Sequence, residues 1–204
     1  MKSRILFTLL AALPLFVAGT AHAEKGDSDK EIDIRCDNSV NDDVKLIRTC
    51  TGNVILTQGT LIMKGAKLVV TETPDGWSFS TLYAPPGGLA TMRQKRDGGP
   101  DLWMEGEAAE RITYDQKTGV ASMYVKGKAR RLDGKATTDE ATGPFLSYNS
   151  QTEIVTGAMS PNGDSKGDGL ERPHIVIQPH HPPAGASTQS STPAAGSPVD
   201  TKGK

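Results

Sequence analysis

Four groups of residues have types and spacings that could carry chemistry. Glu105, Glu107 and Glu110 are the raw material of an acid/base pair, which needs one protonated and one ionised carboxyl. Glu105 and Glu107 fall on one face of an alternating strand, and a solvated outer face accounts for them without catalysis. Nucleophile–histidine catalysis needs a buried, oriented imidazole. His22 lies in a leader, His180 and His181 lie in a tail, and His174 stands beside Pro173 on the last strand. Asp164 and Asp168 sit among glycines, but their spacing matches no calcium loop, and an exposed loop is the reading. Cys36 and Cys50 have no histidine near them, which argues against zinc. In an oxidising compartment an even count argues for a bridge, closing a loop of about 15 residues worth about 3 kcal/mol; two buried free thiols are the alternative. There is no phosphate loop, dinucleotide fingerprint or HExxH in the chain. The expectation is a protein that is not an enzyme and holds no cofactor or metal.

The elements around these residues begin with a leader. A basic start (Lys2, Arg4), an apolar run from Ile5 to Gly19 and Ala21-His22-Ala23 read as a signal peptide over 1–23. No cysteine directly follows the cleavage site, where Glu24 stands, so a lipid anchor is not expected. Residues 24–30 read as a loose, charged N-terminus, and 180–204, rich in Pro, Ala, Ser and Thr, as a disordered tail. The whole chain carries 23 Lys+Arg against 24 Asp+Glu. Losing Lys2 and Arg4 makes it more acidic, which excludes general nucleic-acid binding.

Between these ends, residues 31–179 read as one all-β domain. The run Cys50 to Thr71 gives three apolar stretches, Val54–Leu56, Leu61–Met63 and Leu68–Val70, with turns expected at Gln58-Gly59 and Lys64-Gly65. No helix tolerates Gly52, Gly59 and Gly65 at about 1 kcal/mol each. The unit recurs at Val125 to Gly134, and a looser copy is expected from Glu105 to Gly119, so the sheet grows by repetition. Ile32–Cys36 reads as the first strand and Arg172–Pro179 as the last. Asp37–Asp43 and Lys135–Gly143 read as turns. Spread over many short strands, the apolar residues (36% of the chain) suit a long, thin sheet stack.

Thr51-Gly-Asn-Val-Ile-Leu-Thr-Gln-Gly-Thr60, preceded by Gly26-Asp-Ser-Asp29 and Ile32-Asp-Ile34, carries a resemblance. Glu105 to Ala109, Ile112-Thr-Tyr114, Val125 to Ala129 and Ile175-Val-Ile177-Gln-Pro179 extend it in the same order. Over most of 26–179 the chain resembles the OstA-like family of periplasmic lipopolysaccharide-transport proteins. The cysteine pair, the Met159–Glu171 loop and the tail depart from that pattern. The resemblance implies an OstA-like β-jellyroll of many short antiparallel strands folded as an open V. It implies a periplasmic location, binding of the lipid A part of lipopolysaccharide, and head-to-tail homo-oligomers. The implied partners are LptC at the inner membrane and LptD at the outer membrane.

For that task a soluble carrier needs an apolar trough. Strand alternation assigns Ile32, Ile34, Val54, Leu56, Met63, Leu68, Val70, Met92, Ile112, Tyr114, Met123 and Val125 to the inward, lipid-binding face; each could equally fill a core. Open edges template strand addition, which assigns Ile32 and Ile34, with Ile175, Val176 and Ile177, to assembly. Leu56→Asp is expected to cut lipid binding and leave the fold intact. A sheet scaffold or adhesion module with no lipid is the alternative, and a lipocalin-like carrier a third.

Overall fold

The computed structural model describes residues 26–163 and 172–178; the leader, the tail, Asp164 and Asp168 lie outside them. Apart from one 3-10 turn (Asp27–Asp29), the described residues form twelve strands in one antiparallel sheet. These are β1 (Ile32–Arg35), β2 (Asn38–Asp42), β3 (Ile47–Gln58), β4 (Leu61–Glu72), β5 (Ser78–Tyr83) and β6 (Ala90–Lys95). They continue as β7 (Leu102–Ala108), β8 (Arg111–Asp115), β9 (Val120–Asp133), β10 (Ala136–Asn149), β11 (Ile154–Ala158) and β12 (His174–Ile177).

The pairing resolves into eight rungs, each crossing from one layer to the other over a common bend. β3, β4, β9 and β10 cross unbroken; β1 with β2, β5 with β6, β7 with β8 and β11 with β12 are rungs interrupted at the bend. The first half of β3 pairs with β2 and its second half with β1. β4 pairs with β6 near its start and β5 near its end. β9 pairs with β8 and then β7, and β10 with β12 and then β11. One layer therefore holds β2, β5, β8 and β11, the other β1, β6, β7 and β12, and the four long strands serve both. This is the open-V β-jellyroll, all β and antiparallel throughout. Neighbouring rungs follow in chain order, so each buries its inner face against its neighbours, as in a repeat array.

The bend is built the same way twice. On β3 one extra residue enters the ladder between Thr51 and Val54, with Gly52 at φ 80° and Asn53 at φ 46°. On β9 the corresponding irregularity, opposite Gly143 to Phe145, places Val125 at φ 62° and Lys126 at φ 51°. Extra residues in the left-handed region bend a strand and raise its twist. Gly and Asn accept that region readily; a β-branched valine does so under strain. A disulfide joins Cys36, between β1 and β2, to Cys50 on β3, with Cα atoms 5.8 Å apart. It pins the interrupted first rung to the unbroken second one beside this bend.

Several elements differ from expectation. Lys64-Gly65 is no turn: β4 runs straight through it, and Gly65 is needed for space. A Cβ there would stand 2.6 Å from the Tyr83 carbonyl oxygen and 2.8 Å from Leu82 Cγ. The looser third copy is no hairpin, because β7 and β8 lie in different layers. Asn38–Asp42 and Ala136–Gly143 are strands; their polar side chains, which read as turns, sit on an exposed edge and on β10 where it is paired on both sides. Residues 26–30 are not loose: Asp27, the first residue of the 3-10 turn that precedes β1, is buried.

Gly65→Ala should cost about 1–3 kcal/mol of unfolding free energy through overpacking. Gly76→Ala, with open space around its Cβ, supplies the comparison for a backbone-only cost. Urea denaturation of both checks this; equal losses would remove the packing account of Gly65.

Candidate functional site

The inner faces of the two layers meet in one apolar cluster. Strand alternation puts every second residue there. Val54 and Leu56 come from β3, Leu61, Met63, Leu68 and Val70 from β4, Leu82 from β5, Met92 from β6, and Met104 from β7. Ile112 and Tyr114 on β8, Met123 and Ala129 on β9, and Leu146 and Tyr148 on β10 belong to it too, with Cys50 and small alanines on several strands filling in between. On β4 the inward parity flips between Met63 and Leu68, at the bend. Of the residues assigned inward from the sequence, Val54, Leu56, Met63, Leu68, Val70, Met92, Ile112, Tyr114 and Met123 are buried. Ile32 and Ile34 are partly buried against the same cluster. Val125 does not belong: it is 46% exposed, because the left-handed bulge turns it out at the bend. Leu61, Leu82, Met104, Leu146 and Tyr148 were missed, although the alternation of Leu146 and Tyr148 was there to be read.

The middle of this interior is packed shut. Leu56, Met63, Leu68, Leu82, Ile112 and Met123 are each at or below 1% exposure. An aspartate at position 56 would bury an unpaired charge and unfold the domain, so the expectation for Leu56→Asp fails on its second half. Four methionines (63, 92, 104 and 123) stand in the cluster, unbranched side chains that repack at low cost.

The cluster opens at each end of the stack. At the β1 end a cavity of about 320 Å³ is lined by Ile32, Ile34, Val70, Ser78 and the Arg48–Glu72 pair, whose charged atoms are 2.7 Å apart. At the β12 end a cavity of about 140 Å³ is lined by Met104, Ala129, Ala141, Val155, Ile175 and Ile177. Ile175 and Ile177 are more than 60% exposed. A further cavity, of about 570 Å³, is on the opposite face of the sheet at the bend, lined by Tyr124, Pro144, Phe145 and Met159. Arg111 stacks there on Tyr124, 3.8 Å from the ring centre.

The carboxylates considered for acid/base work are tied up outside. Arg130 pairs with Glu107 at 2.5 Å and Glu105 at 3.2 Å, Arg93 with Glu105 at 3.2 Å, and Arg111 with Glu110. His174 is exposed on β12. Among the described residues no group of His, Cys, Asp and Glu is placed to hold a metal.

Such an arrangement defines a class: a strand-built jellyroll with a continuous apolar interior whose end strands, among the described residues, are paired on one side only. Comparison with known proteins identifies the family. Residues 33–154 match the family described as LptA/(LptD N-terminal domain) LPS transport protein, and the chain belongs to it. It is 35% identical over 134 residues to the lipopolysaccharide export system protein LptA of Escherichia coli K12, covering 66% of this chain and 70% of that protein. It is 26% identical over 158 residues to LptA of Haemophilus influenzae, covering 78% and 85%. The fold matches the crystal structure of LptH, described as the LptA homologous periplasmic component of the lipopolysaccharide transport device of Pseudomonas aeruginosa. That match has TM-score 0.64 at 20% identity, covering 76% of this chain and 99% of that one.

Burial, with Asp27 and Asp115 nearby, pushes the Tyr114 hydroxyl up from 10.0 to about 12. A raised folded-state value stabilises the fold below pH 10 and is lost as pH climbs through 12. The wild type should lose about 2 kcal/mol across that window, and Tyr114→Phe should flatten this slope. Chemical denaturation at pH 9, 10 and 11.5 checks it; parallel slopes in the two proteins would refute the assignment.

Proposed function

We propose that this chain is a periplasmic lipopolysaccharide-binding protein that passes lipid along its apolar interior between the inner and outer membranes. Carrying one acyl chain of about a dozen carbons through water costs about 10 kcal/mol, at about 0.8 per methylene. An interior lined from Ile32 to Ile177 would cover the lipid A chains, with the sugars outside. The packed middle means that the layers part to admit them, which repacking methionines make easier. Binding and transfer need no turnover by the chain itself, so it acts as a carrier and not an enzyme, without cofactor.

The single observation that carries this reading is the alternation of rung direction. Eight antiparallel rungs leave β1 and β12 running in opposite senses, and likewise β2 and β11. Another copy placed β1 against β12 would therefore continue the antiparallel ladder in both layers and align the two interiors. Head-to-tail copies, with related jellyrolls of LptC at one end and LptD at the other, would form the bridge. Ile32 and Ile34 at one edge and Ile175, Val176 and Ile177 at the other would make the joint. The closed middle of the interior favours a second reading, a sheet scaffold without lipid.

A photo-crosslinking residue at Ile34 or Ile175 should capture labelled lipopolysaccharide, while one at Phe79, on the outer face of β5, should not. Mass spectrometry of the organic extract should show lipid A; no lipid A and equal labelling at all three sites would favour the scaffold. Val176→Pro should shift the oligomer distribution toward monomer without loss of folding, since all four residues of β12 are exposed. Sedimentation at several concentrations measures this, and an unchanged distribution would exclude the β12 edge.

A further inference from the structure

The two layers are tied across the open side of the V, far from the bend, by a segment with no apolar side chain. Residues 26–30, Gly-Asp-Ser-Asp-Lys, lie there. The Ser28 carbonyl accepts from Gln58 Nε2 at 3.1 Å and from Gln116 Nε2 at 2.7 Å. Gln58 ends β3 in one layer and Gln116 follows β8 in the other, so one oxygen spans the opening. Asp27, 3% exposed, accepts from Thr60 N–H at 2.9 Å, Thr60 Oγ1 at 2.5 Å and Gln94 Nε2 at 3.1 Å. Gln116 is held in turn by Ser78, whose N–H and hydroxyl donate to Oε1 at 3.0 and 2.9 Å.

Gln58 and Gln94 are each 1% exposed at the rim of an apolar interior, an expensive place for amides without a purpose. Gln94 Oε1 has no hydrogen-bond partner, so the segment does not fully satisfy the site it fills. A polar lip around an apolar slot fits an amphiphile whose tails enter the slot and whose hydroxyl- and phosphate-bearing head stays at the rim.

We propose that Gln58, Thr60, Gln94 and Gln116 form a head-group subsite, and that residues 26–30 occupy it in the unliganded chain as a displaceable strap. The inference rests on the lipid-carrier reading. At this end tails cannot part the layers while one carbonyl holds both lips. A head group offering acceptors to the same amides replaces the strap and frees this end of the opening in one step. The strap thus makes opening conditional on a ligand with the right head.

Hydrogen exchange on the mature full-length chain tests this, using lipid A and dodecane as separate probes. The amides of Thr60, which donates to Asp27, and of Lys30, which donates to the Asp27 carbonyl at 3.0 Å, report the strap. Saturating lipid A should speed exchange at both by about tenfold or more, with strand amides of β3 and β4 unchanged; dodecane, a tail with no acceptor group, should leave both protected. Asp27→Ala should expose Thr60 N–H in the free chain and tighten lipid A binding about tenfold, as removal of a closed state does. Lipid A bound at saturation with Thr60 and Lys30 still protected overturns the strap and leaves the carrier standing. Lipid A failing to bind at all, to wild type or variant, overturns both. The wild-type exchange experiment stands even if Asp27→Ala does not fold.

Discussion

The constraint on which this structure depends is that each strand must keep one face apolar while the sheet folds over on itself. Alternation with period two assigns every side chain to the inside or the outside, and a slip of one residue exchanges them. At the bend the two unbroken hairpins solve this alike. The first strand takes an extra residue in the left-handed region, at Gly52-Asn53 and at Val125-Lys126. The second strand flips parity, between Met63 and Leu68 and between Gly143 and Leu146. The interrupted rungs reach the same end by breaking: Pro85 to Gly88 separates β5 from β6, and Ala109-Glu110 separates β7 from β8.

A fold made of rungs that bury only against their neighbours has no natural end. Most sheet proteins blunt their outermost strands. Here β2 is polar and short, but β12 presents Ile175, Val176 and Ile177 to solvent, and the apolar cluster reaches the surface at both ends. The same geometry that makes the interior continuous within one chain is what the proposed head-to-tail joint would extend to the next. On the outside of one layer Arg93, Arg130, Glu105 and Glu107 interlock across neighbouring strands, and the inside is left to apolar contact.

Closure of the V is a separate matter from its folding. The apex is held by covalent chain and by the Cys36–Cys50 bridge, whereas the open side is held by polar contacts. Besides Asp27 and Ser28, Glu153 spans it near the other end. Arg96 Nη2 reaches its carboxylate at 2.7 Å, the Asp97 N–H donates to it at 3.0 Å, and Arg131 Nη2 donates to its carbonyl at 2.6 Å. Contacts of this kind are each worth only a few kcal/mol at most, whereas the apex is covalent.

The sequence alone determined the class, the alternation and the family. Glycine spacing excluded helices, β-branched runs located most strands, and the Thr51–Thr60 block carried the resemblance. Parity found nine buried inward residues because alternation is a local property of the backbone. What only tertiary structure decided was where strands continue and what crosses between layers. Gly65 looked like a turn residue because a glycine needed for close approach and one needed for a corner are the same letter. Val125 looked inward because a bulge has no local signature when its residue is a valine. Residues 26–30 looked loose because their partners, Gln58, Thr60, Gln94 and Gln116, are brought together only when the sheet folds over, and no spacing along the chain records that meeting.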